Sequence, residues 1–365
     1  MKNAIISPSA TNVFSGAQGS FLDANGNFNT FAMRPFEDEK TGQVCITRFI
    51  GGDPKDPKCY QAVPIPSVGR YATLRRDEWK QLDDVLLEVQ STTLDGVNDL
   101  IDLGLTKDLG GNGMATTVLE HHTMDQPFTA TLSMDGVVRG DNDRIDYGVE
   151  YLPLPINHVD FLLTTREIAV SRKLGNPLNV DQARAAARAV MLKREQMLFT
   201  NVTYKFGGGL IYSYLNHPNR NTVSMGTNWK SDTVANIYTD VKAMLQALIN
   251  KNQPGPFGLY YPRDCATKFD DDYATTTAQN LTLRERVMKL EGIKFCKKND
   301  TLPSGYAVMV NLQKDTVRLV RGMGLTNLEW STDPMAFNYK AMSIEIPEVR
   351  ADAANQCGVC VCTGS

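Results

Sequence analysis

The stretch Asn179–Asn201, "NVDQARAAARAVMLKREQMLFTN", decides how the rest of the chain is read. Ala183, Ala186, Ala187, Val190, Met191, Met197 and Leu198 recur at three- and four-residue spacing, which predicts an amphipathic helix. Asn179 stands where an N-cap belongs, with Gln182 three residues on, and neither Gly nor Pro interrupts the run. About twenty residues at ~1.5 Å rise make a rod of roughly 30 Å. The stripe is rich in alanine and carries no reactive group. Small side chains let another backbone lie close, so the stripe predicts a helix pressed flat against a sheet.

A chain of 365 residues can bury a sizeable core, enough for one large or two modest domains. Its formal net charge of -3, from 38 basic and 41 acidic residues, argues against a dedicated nucleic-acid binder, whose phosphate contacts call for a basic excess. A protein that encloses nucleic acid without gripping it is compatible with that balance. No window approaches about eighteen consecutive apolar residues, so no membrane span is predicted. "MKNAIISPSATNVF" has one Lys and no continuous apolar core, and so does not read as a secretory signal.

Working outward from the helix, the chain reads as α+β without regular βαβ alternation or internal repeats. Residues 1 to about 70 are rich in Gly, Asn, Ser, Thr and Pro, yet carry Phe14, Phe21, Phe28, Phe31, Phe36, Phe49 and Tyr60. That mixture predicts an arm ordered by lying on another surface rather than a compact unit. "TLRRDEWKQLDDVLLEVQ" is an amphipathic helix with Trp79, Leu82, Leu86 and Val89 on one stripe. From Gln126 to Pro155 the period becomes two, with Phe128, Ala130, Leu132 and Met134 on one run and Ile145, Tyr147, Val149 and Tyr151 on the other. This predicts a long two-stranded ribbon, marginal in water unless it lies on something. "NHVDFLL" reads as a strand and "TTRE", Thr164–Glu167, as a capping box opening a short helix. Beyond "YKFGGGLIYSY" come the helices "SDTVANIYTDVKAMLQALIN" and "LTLRERVMKLEG", and the strands "YAVMVNL", "DTVRLV" and "FNYKAMSIEI".

The candidates for chemistry are few, and none assembles a site. "DLGGNGMATT" lacks the Lys-Ser/Thr end of a phosphate-binding loop and "KFGGGLIY" lacks G-x-G-x-x-G spacing, so both read as turns or hinges. His121 and His122 are adjacent and would point to opposite faces of a strand. With His158 and His217 they read as ordinary polar residues. Asp270, Asp271 and Asp272 lack the spaced ligands of a calcium loop and read as a solvated helix end. Cys45, Cys59, Cys265 and Cys296 are scattered, as buried reduced thiols are. Cys357, Cys360 and Cys362 in "CGVCVC" leave three readings open: part of a zinc site, a disulfide, or a mobile end with free thiols. No catalytic, cofactor-binding or metal residue is assigned, and the chain is expected not to be an enzyme. A cytosolic metal enzyme using the Cys tail or the Asp run is the competing reading.

Five segments in order resemble a known family. "DEWKQLDDVLLEV" resembles the acidic, Trp-containing helix near the encapsulin N-terminus. "YLPLPINHVDFLLTTREI" is similar to that family's Pro-Leu strand leading into a short capped helix. "DQARAAARAVMLKREQMLFTN" resembles its spine helix, "FGLYYPRDCATKFDDDY" with "LRERVMKLEGI" the centre of its A-domain, and "MGLTNLEWSTDPMAFNYKAMSIEIPEVRAD" its closing strands. The resemblance, over roughly residues 73 to 352, is to the encapsulin-like branch of the tailed-bacteriophage major capsid proteins, with the Hong Kong 97 type fold.

That resemblance implies an extended N-arm over 1–72, an N-terminal helix region over 73–112 and an E-loop ribbon over 113–155. It further implies a P-domain with spine helix over 156–205, an A-domain over 206–324, closing P-domain strands over 325–352 and a Cys-rich tail over 353–365. The implied function is a major capsid protein assembling with itself, as hexamers and pentamers, into an icosahedral shell around phage double-stranded DNA. The DNA would be contacted non-specifically, and scaffold, portal and decoration proteins are the further partners implied. The implied location is the virion capsid, assembled in the host cytoplasm. The alternative is an encapsulin compartment enclosing a cargo enzyme. The long N-arm and Cys-rich tail depart from the encapsulin pattern and favour the viral shell. Some relatives cross-link through an E-loop lysine, but no lysine lies between Lys107 and Lys173, so non-covalent stabilisation is expected. The first 70 residues hold no heptad pattern, so no fused scaffolding domain is expected.

Overall fold

The computed structural model describes residues 36–38, 43–49, 60–64, 74, 76–92, 95–110, 112–124, 130, 132, 134, 147–174, 180–272, 281–333, 335–352 and 355–364. A small antiparallel sheet comes first, β1 (Phe36–Glu37), β2 (Val44–Phe49) and β3 (Tyr60–Pro64). Helices α1 (Arg76–Thr92) and α2 (Asp95–Asp102) lead to the short β4 (Thr106–Asp108). Strands β5 (Val118–Met124) and β6 (Tyr147–Pro153) form a ribbon, followed by β7 (Asn157–Thr164), α3 (Thr165–Leu174) and α4 (Asp181–Phe199). The hairpin β8 (Tyr204–Phe206) and β9 (Gly209–Ile211) crosses to β10 (Asn221–Ser224) and α5 (Val234–Ile249). Next are β11 (Phe257–Pro262), α6 (Ala266–Asp270), α7 (Leu283–Met288), β12 (Ile293–Asn299) and β13 (Tyr306–Asn311). The long pair β14 (Val317–Asp333) and β15 (Ala336–Val349) and the short β16 (Val359–Thr363) close the chain.

Two sheets organise these elements. The first has strand order β4-β14-β15-β7. Along β15 the alternation of side chains sends Ala341 to one face and Met342, Ile344 and Ile346 to the other. On the first face Ala186, Ala187, Val190 and Met191 of α4 meet Ala341, with Val85, Leu86 and Val89 of α1 alongside and Val159 packed against the cluster. The alanine stripe therefore does what its side chains predict: it brings the helix backbone close to a sheet. On the second face Met342, Ile344, Ile346, Val320 and Met323 meet Leu152, Leu154 and Ile211. The foot of the ribbon thus stands on the side of the sheet away from the alanine stripe, and only Met197, near the end of α4, reaches that cluster.

The second sheet has order β10-β16-β13-β11-β12. Its Leu259, Tyr261, Met309, Cys360 and Cys362 face Ile237, Val241, Met244 and Leu248 of α5. The alternate residues Tyr260, Val308, Val310, Val359 and Val361 face Leu198, Phe199, Tyr214, Val97 and Leu100. The end of α4 therefore belongs to the core under the second sheet. The Phe199 ring lies edge-on to Tyr214 and Tyr260, with centroids 5.4 and 5.0 Å away. One helix joins the two sheets.

Local signals account for several element ends. Thr164 and Glu167 close the expected capping box: Thr164 N–H donates to Glu167 Oε2 at 2.8 Å, and Glu167 N–H to Thr164 Oγ1 at 3.3 Å. Thr282 and Glu285 do the same for α7. Four expectations need correction. The N-cap of α4 is Val180, with no side-chain cap bond, rather than Asn179, which lies outside the described residues. The described pairing of the ribbon starts upstream of the Gln126–Pro155 window, with Val118 to Met124 opposite Tyr147 to Pro153 residue for residue; Phe128 and Ile145 lie outside the described residues. Between Phe36 and Pro64 the segment read as an extended arm folds back on its own chain: Phe36 and Cys45 pack with Leu74, Trp79, Leu82 and Ile168. Phe14, Phe21, Phe28 and Phe31 lie outside the described residues.

The Cys-rich tail is the fourth. It is a strand, β16, hydrogen-bonded between β10 and β13 in the middle of the second sheet, with Val359 to Cys362 fully buried. Burying Val359 and Val361 alone is worth about 1.5–3 kcal/mol each. A mobile end is excluded by that packing.

Candidate assembly surface

The ribbon is the feature least explained by the chain's own core. In an antiparallel pair, opposed residues share a face. The inner face carries Leu119 and Leu152, packed in or against the cluster on the first sheet, and the opposed pair His121 and Glu150. The outer face carries Tyr147, Val149 and Tyr151, which are 66%, 44% and 40% exposed. The β8–β9 hairpin clamps the ribbon's foot. A Cβ at Gly209 would fall 2.2 Å from Tyr151 O, so only glycine lets β9 run this close to β6. Gly207 and Gly208 turn at positive φ beside Val118 and Tyr151. Tyr204 and Phe206 of the hairpin are exposed as well, as are Ile156, Leu162 and Val170. Aromatic and branched side chains on a projecting ribbon cost solubility unless another surface covers them.

Beneath this surface the body is pinned by buried charges. Arg194 on α4 pairs with Glu345 on β15, both fully buried, and Arg321 on β14 donates to the same carboxylate at 3.0 Å. Glu195, the next residue, accepts the Gly96 and Val97 N–H groups at 3.0 Å each and Asn299 Nδ2 at 2.7 Å. Burial pushes its carboxyl above the ordinary range, and the three donors oppose that shift. Asp99 on α2 accepts from Tyr260 Oη at 3.0 Å and pairs with Lys297; burial raises its carboxyl against both partners. These contacts fix α2, α4 and both sheets relative to one another. The charge of Arg194 and Glu195 hides their burial in the sequence. Their position, three and four residues after Met191 on the apolar stripe, is the signal that reveals it.

The residues singled out for chemistry are dispersed. His121 is buried at the ribbon's foot and His122 is exposed on the opposite face, as adjacent strand residues must be. His158 is half exposed, 3.9 Å from Asp160. His217 is buried, accepts the Asn219 N–H at Nδ1, and is held by burial to a pKa of about 4. Asp270, Asp271 and Asp272 are exposed at the end of α6, with Arg284 and Lys268 beside Asp270 and Asp271. Cys45, Cys265, Cys296, Cys357, Cys360 and Cys362 are buried free thiols, and Cys59 lies outside the described residues. Burial pushes Cys265 and Cys357 up to about 11 and Cys296 and Cys360 up to about 12, and raises Cys362 likewise. Cys360 and Cys362 point to the α5 side while Cys357 sits in the opposite cluster, so the three do not converge on a metal. Among the described residues no three His, Cys, Asp or Glu side chains come together as ligands, and no helix is long and apolar enough to cross a membrane.

A spine helix on a four-stranded sheet, a second sheet at the helix's far end and a projecting ribbon define the Hong Kong 97 type capsid fold. Solved structures carry the same fold. The virus-like particle from Pyrococcus furiosus matches with a TM-score of 0.56 at 15% identity, over 78% of this chain and 98% of that one. The capsid of Myoviridae phage XM1 matches with a TM-score of 0.55 at 10% identity, over 75% and 94%. A Mycobacterium phage Che8 structure matches with a TM-score of 0.50 at 15% identity, over 72% and 90%. Residues 69–362 match a family of unknown function, DUF6260, and the chain belongs to that family. No curated protein matches the sequence.

Proposed function

We propose that this protein is a major capsid protein, whose copies assemble as hexamers and pentamers into an icosahedral shell around a bacteriophage DNA genome. The observation that carries the reading is the ribbon: Tyr147, Val149 and Tyr151 stand exposed on a projection whose foot is clamped and whose outer face is left in solvent. A second copy is the natural cover, since repeated self-complementary contacts close into symmetric shells. Interfaces of about 1,600 Å² suffice individually when each subunit makes several. The near-neutral charge suits a wall that touches DNA non-specifically and lets it go.

Within this reading, 113–155 serves as the E-loop, 156–205 and 325–352 as the P-domain, and 206–324, joined by the strand within 353–365, as the A-domain. Residues 73–112 form the N-terminal helix region, and 1–72 the N-arm, whose first part lashes neighbours. The shell belongs to a virion built in the host cytoplasm with scaffold, portal and decoration proteins as further partners. The second reading is a compartment enclosing a cargo enzyme, built on the same fold. Particle contents separate the two: DNA or emptiness against one specific protein. In either case the contacts are non-covalent, and boiled, reduced subunits run as monomers on a denaturing gel.

The test substitutes the outer face. Val149→Asp with Tyr151→Asp leaves the exposed positions compatible with the fold but places charge in the proposed contact. The expected result is a folded, unassembled subunit where the wild type forms particles, read by sedimentation and electron microscopy. Undiminished assembly of the double variant would overturn the ribbon's role.

A further inference from the structure

Beyond the alanine stripe, the seam between α4 and the first sheet turns polar. Side chains alternate along β15, so Ser343 and Glu345 share the α4 face with Ala341. Asn157 of β7 stands directly opposite Ser343, two residues from Val159, which packs on that same face. On the other side of Ser343 the register of β14 shifts between Met323 and Thr326, so no β14 residue pairs with it. A bulge of this kind disrupts the ladder locally. Ser343 is fully buried, and its Oγ has no hydrogen-bond partner among the described residues. The same holds for Asn157 Nδ2, which is closed off from solvent, and for Nε of the fully buried Arg194.

We infer that this seam binds an internal water, which bridges Ser343 Oγ and Asn157 Nδ2 and takes Arg194 Nε as its third contact. Buried polar groups left without a partner lose their hydration and regain nothing for it, so three of them along one seam call for a shared partner. Opposed residues on one sheet face have Cβ atoms about 4.5–5.5 Å apart. One oxygen making two hydrogen bonds of ~2.8 Å spans up to about 5.6 Å, so a single water reaches both side chains. Its lone pairs accept the N–H groups of Asn157 and Arg194, and one of its hydrogens goes to the Ser343 hydroxyl. About three bonds is the usual complement of a buried water.

The neighbouring groups are already engaged. Glu345, the nearest carboxylate along β15, is held by Arg194 through one oxygen and by Arg321 Nε through the other, at 3.0 Å. The remaining guanidinium nitrogen of Arg194, Nη2, stands 3.5 Å from Asn98 Oδ1. Val190 and Met191 on the helix and Ala341 on the sheet close the stripe side with apolar atoms. The helix is therefore dry where alanine meets the sheet and wetted one turn further on, where Ser343 and Asn157 replace apolar side chains. The site lies within one subunit, so it stands independently of how the copies assemble.

A crystal structure of the full chain, at a resolution that shows ordered solvent, tests the site. The expected result is a solvent peak within hydrogen-bond distance of Ser343 Oγ and Asn157 Nδ2, with Arg194 Nε as the third contact. An empty map there, with the two side chains bonded to each other or to the backbone, would overturn the inference. A peak that gains anomalous signal after bromide exchange would be an anion and would overturn it too. A double-mutant cycle of urea midpoints on the unassembled subunit reads the same bridge. Ser343→Ala and Asn157→Leu should each raise the unfolding constant about tenfold, by stranding the other partner. The double variant should cost clearly less than the two together, because one water couples the positions. Simple additivity would contradict a shared water, and if a single variant fails to fold, the wild-type solvent map decides alone.

Discussion

Replacing Ala187 by Leu tests the alanine stripe directly. Ala187 is fully buried, and its neighbour Ala186 nearly so, where α4 lies on Ala341 of β15 with Val85 and Leu86 of α1 at its flank. Leucine adds three carbons. If the site could open to hold them, their burial would be worth about 2.4 kcal/mol, at ~0.8 kcal/mol per methylene. The helix has no freedom to retreat, because Arg194 holds Glu345 on the sheet side and Glu195 holds Gly96, Val97 and Asn299 on the other. Forced overpacking wins and costs about 1–3 kcal/mol net. For a chain of 365 residues that is a fall in Tm of roughly 3 °C at ~2 kcal/mol. Ala185 and Ala189 on the same helix are exposed, so Ala185→Leu should stay within about 0.5 kcal/mol of wild type. Urea unfolding of the unassembled subunit, followed by tryptophan fluorescence, measures both. Equal stability of Ala187→Leu and wild type, or an equal cost at Ala185, would refute the close-packing argument.

Other positions give equally definite outcomes. Cys265, Cys296, Cys357, Cys360 and Cys362 should resist iodoacetamide at about pH 8 in the native protein and react in denaturant, because burial raises all five thiols; peptide mass mapping reads this directly. His217 is depressed to about 4 against an ordinary ~6.5, so the unfolded chain binds the extra proton and stability falls as pH drops from ~6.5 toward 4, by up to about 3 kcal/mol. His217→Asn, which can still accept the Asn219 N–H, should flatten that acid limb in a pH series of urea midpoints. Glu195→Gln sets one amide N–H against a buried backbone N–H and should cost about 1–3 kcal/mol, while Glu195→Ala strands three donors and should cost more; the reverse order in denaturant melts would contradict the assigned bonds.

Periodic, capped segments are legible in the amino-acid order itself. The stripe of α4, the apolar face of α5 and the two capping boxes at Thr164 and Thr282 are local properties of the chain, and they stand in the fold where the pattern puts them. What stays hidden depends on distant partners. The alternation "VCVC" is a buried strand, but three cysteines in six residues draw attention to metal chemistry, and only β10 and β13 reveal its place. The strand Val118–Met124 is broken in pattern by His121 and His122, and its register is set by β6 rather than by its own residues. The small sheet at Phe36–Pro64 owes its order to Trp79 and Ile168, far along the chain. The ion pairs of Arg194 and the hydrogen bonds of Glu195 look like surface chemistry until the partners on β15, α2 and β12 are known. The outer face of the ribbon is legible as an alternating apolar run, but its exposure depends on the direction in which β9 and the first sheet hold it.

The measurement that bears most directly on the central claim is electron microscopy of the purified chain, expressed alone and together with its neighbouring genes. Closed icosahedral particles, with Tyr147, Val149 and Tyr151 buried against an adjacent subunit in the reconstruction, are the expected result. A monomer or small open oligomer under both conditions, with the ribbon's outer face still in solvent, would contradict it.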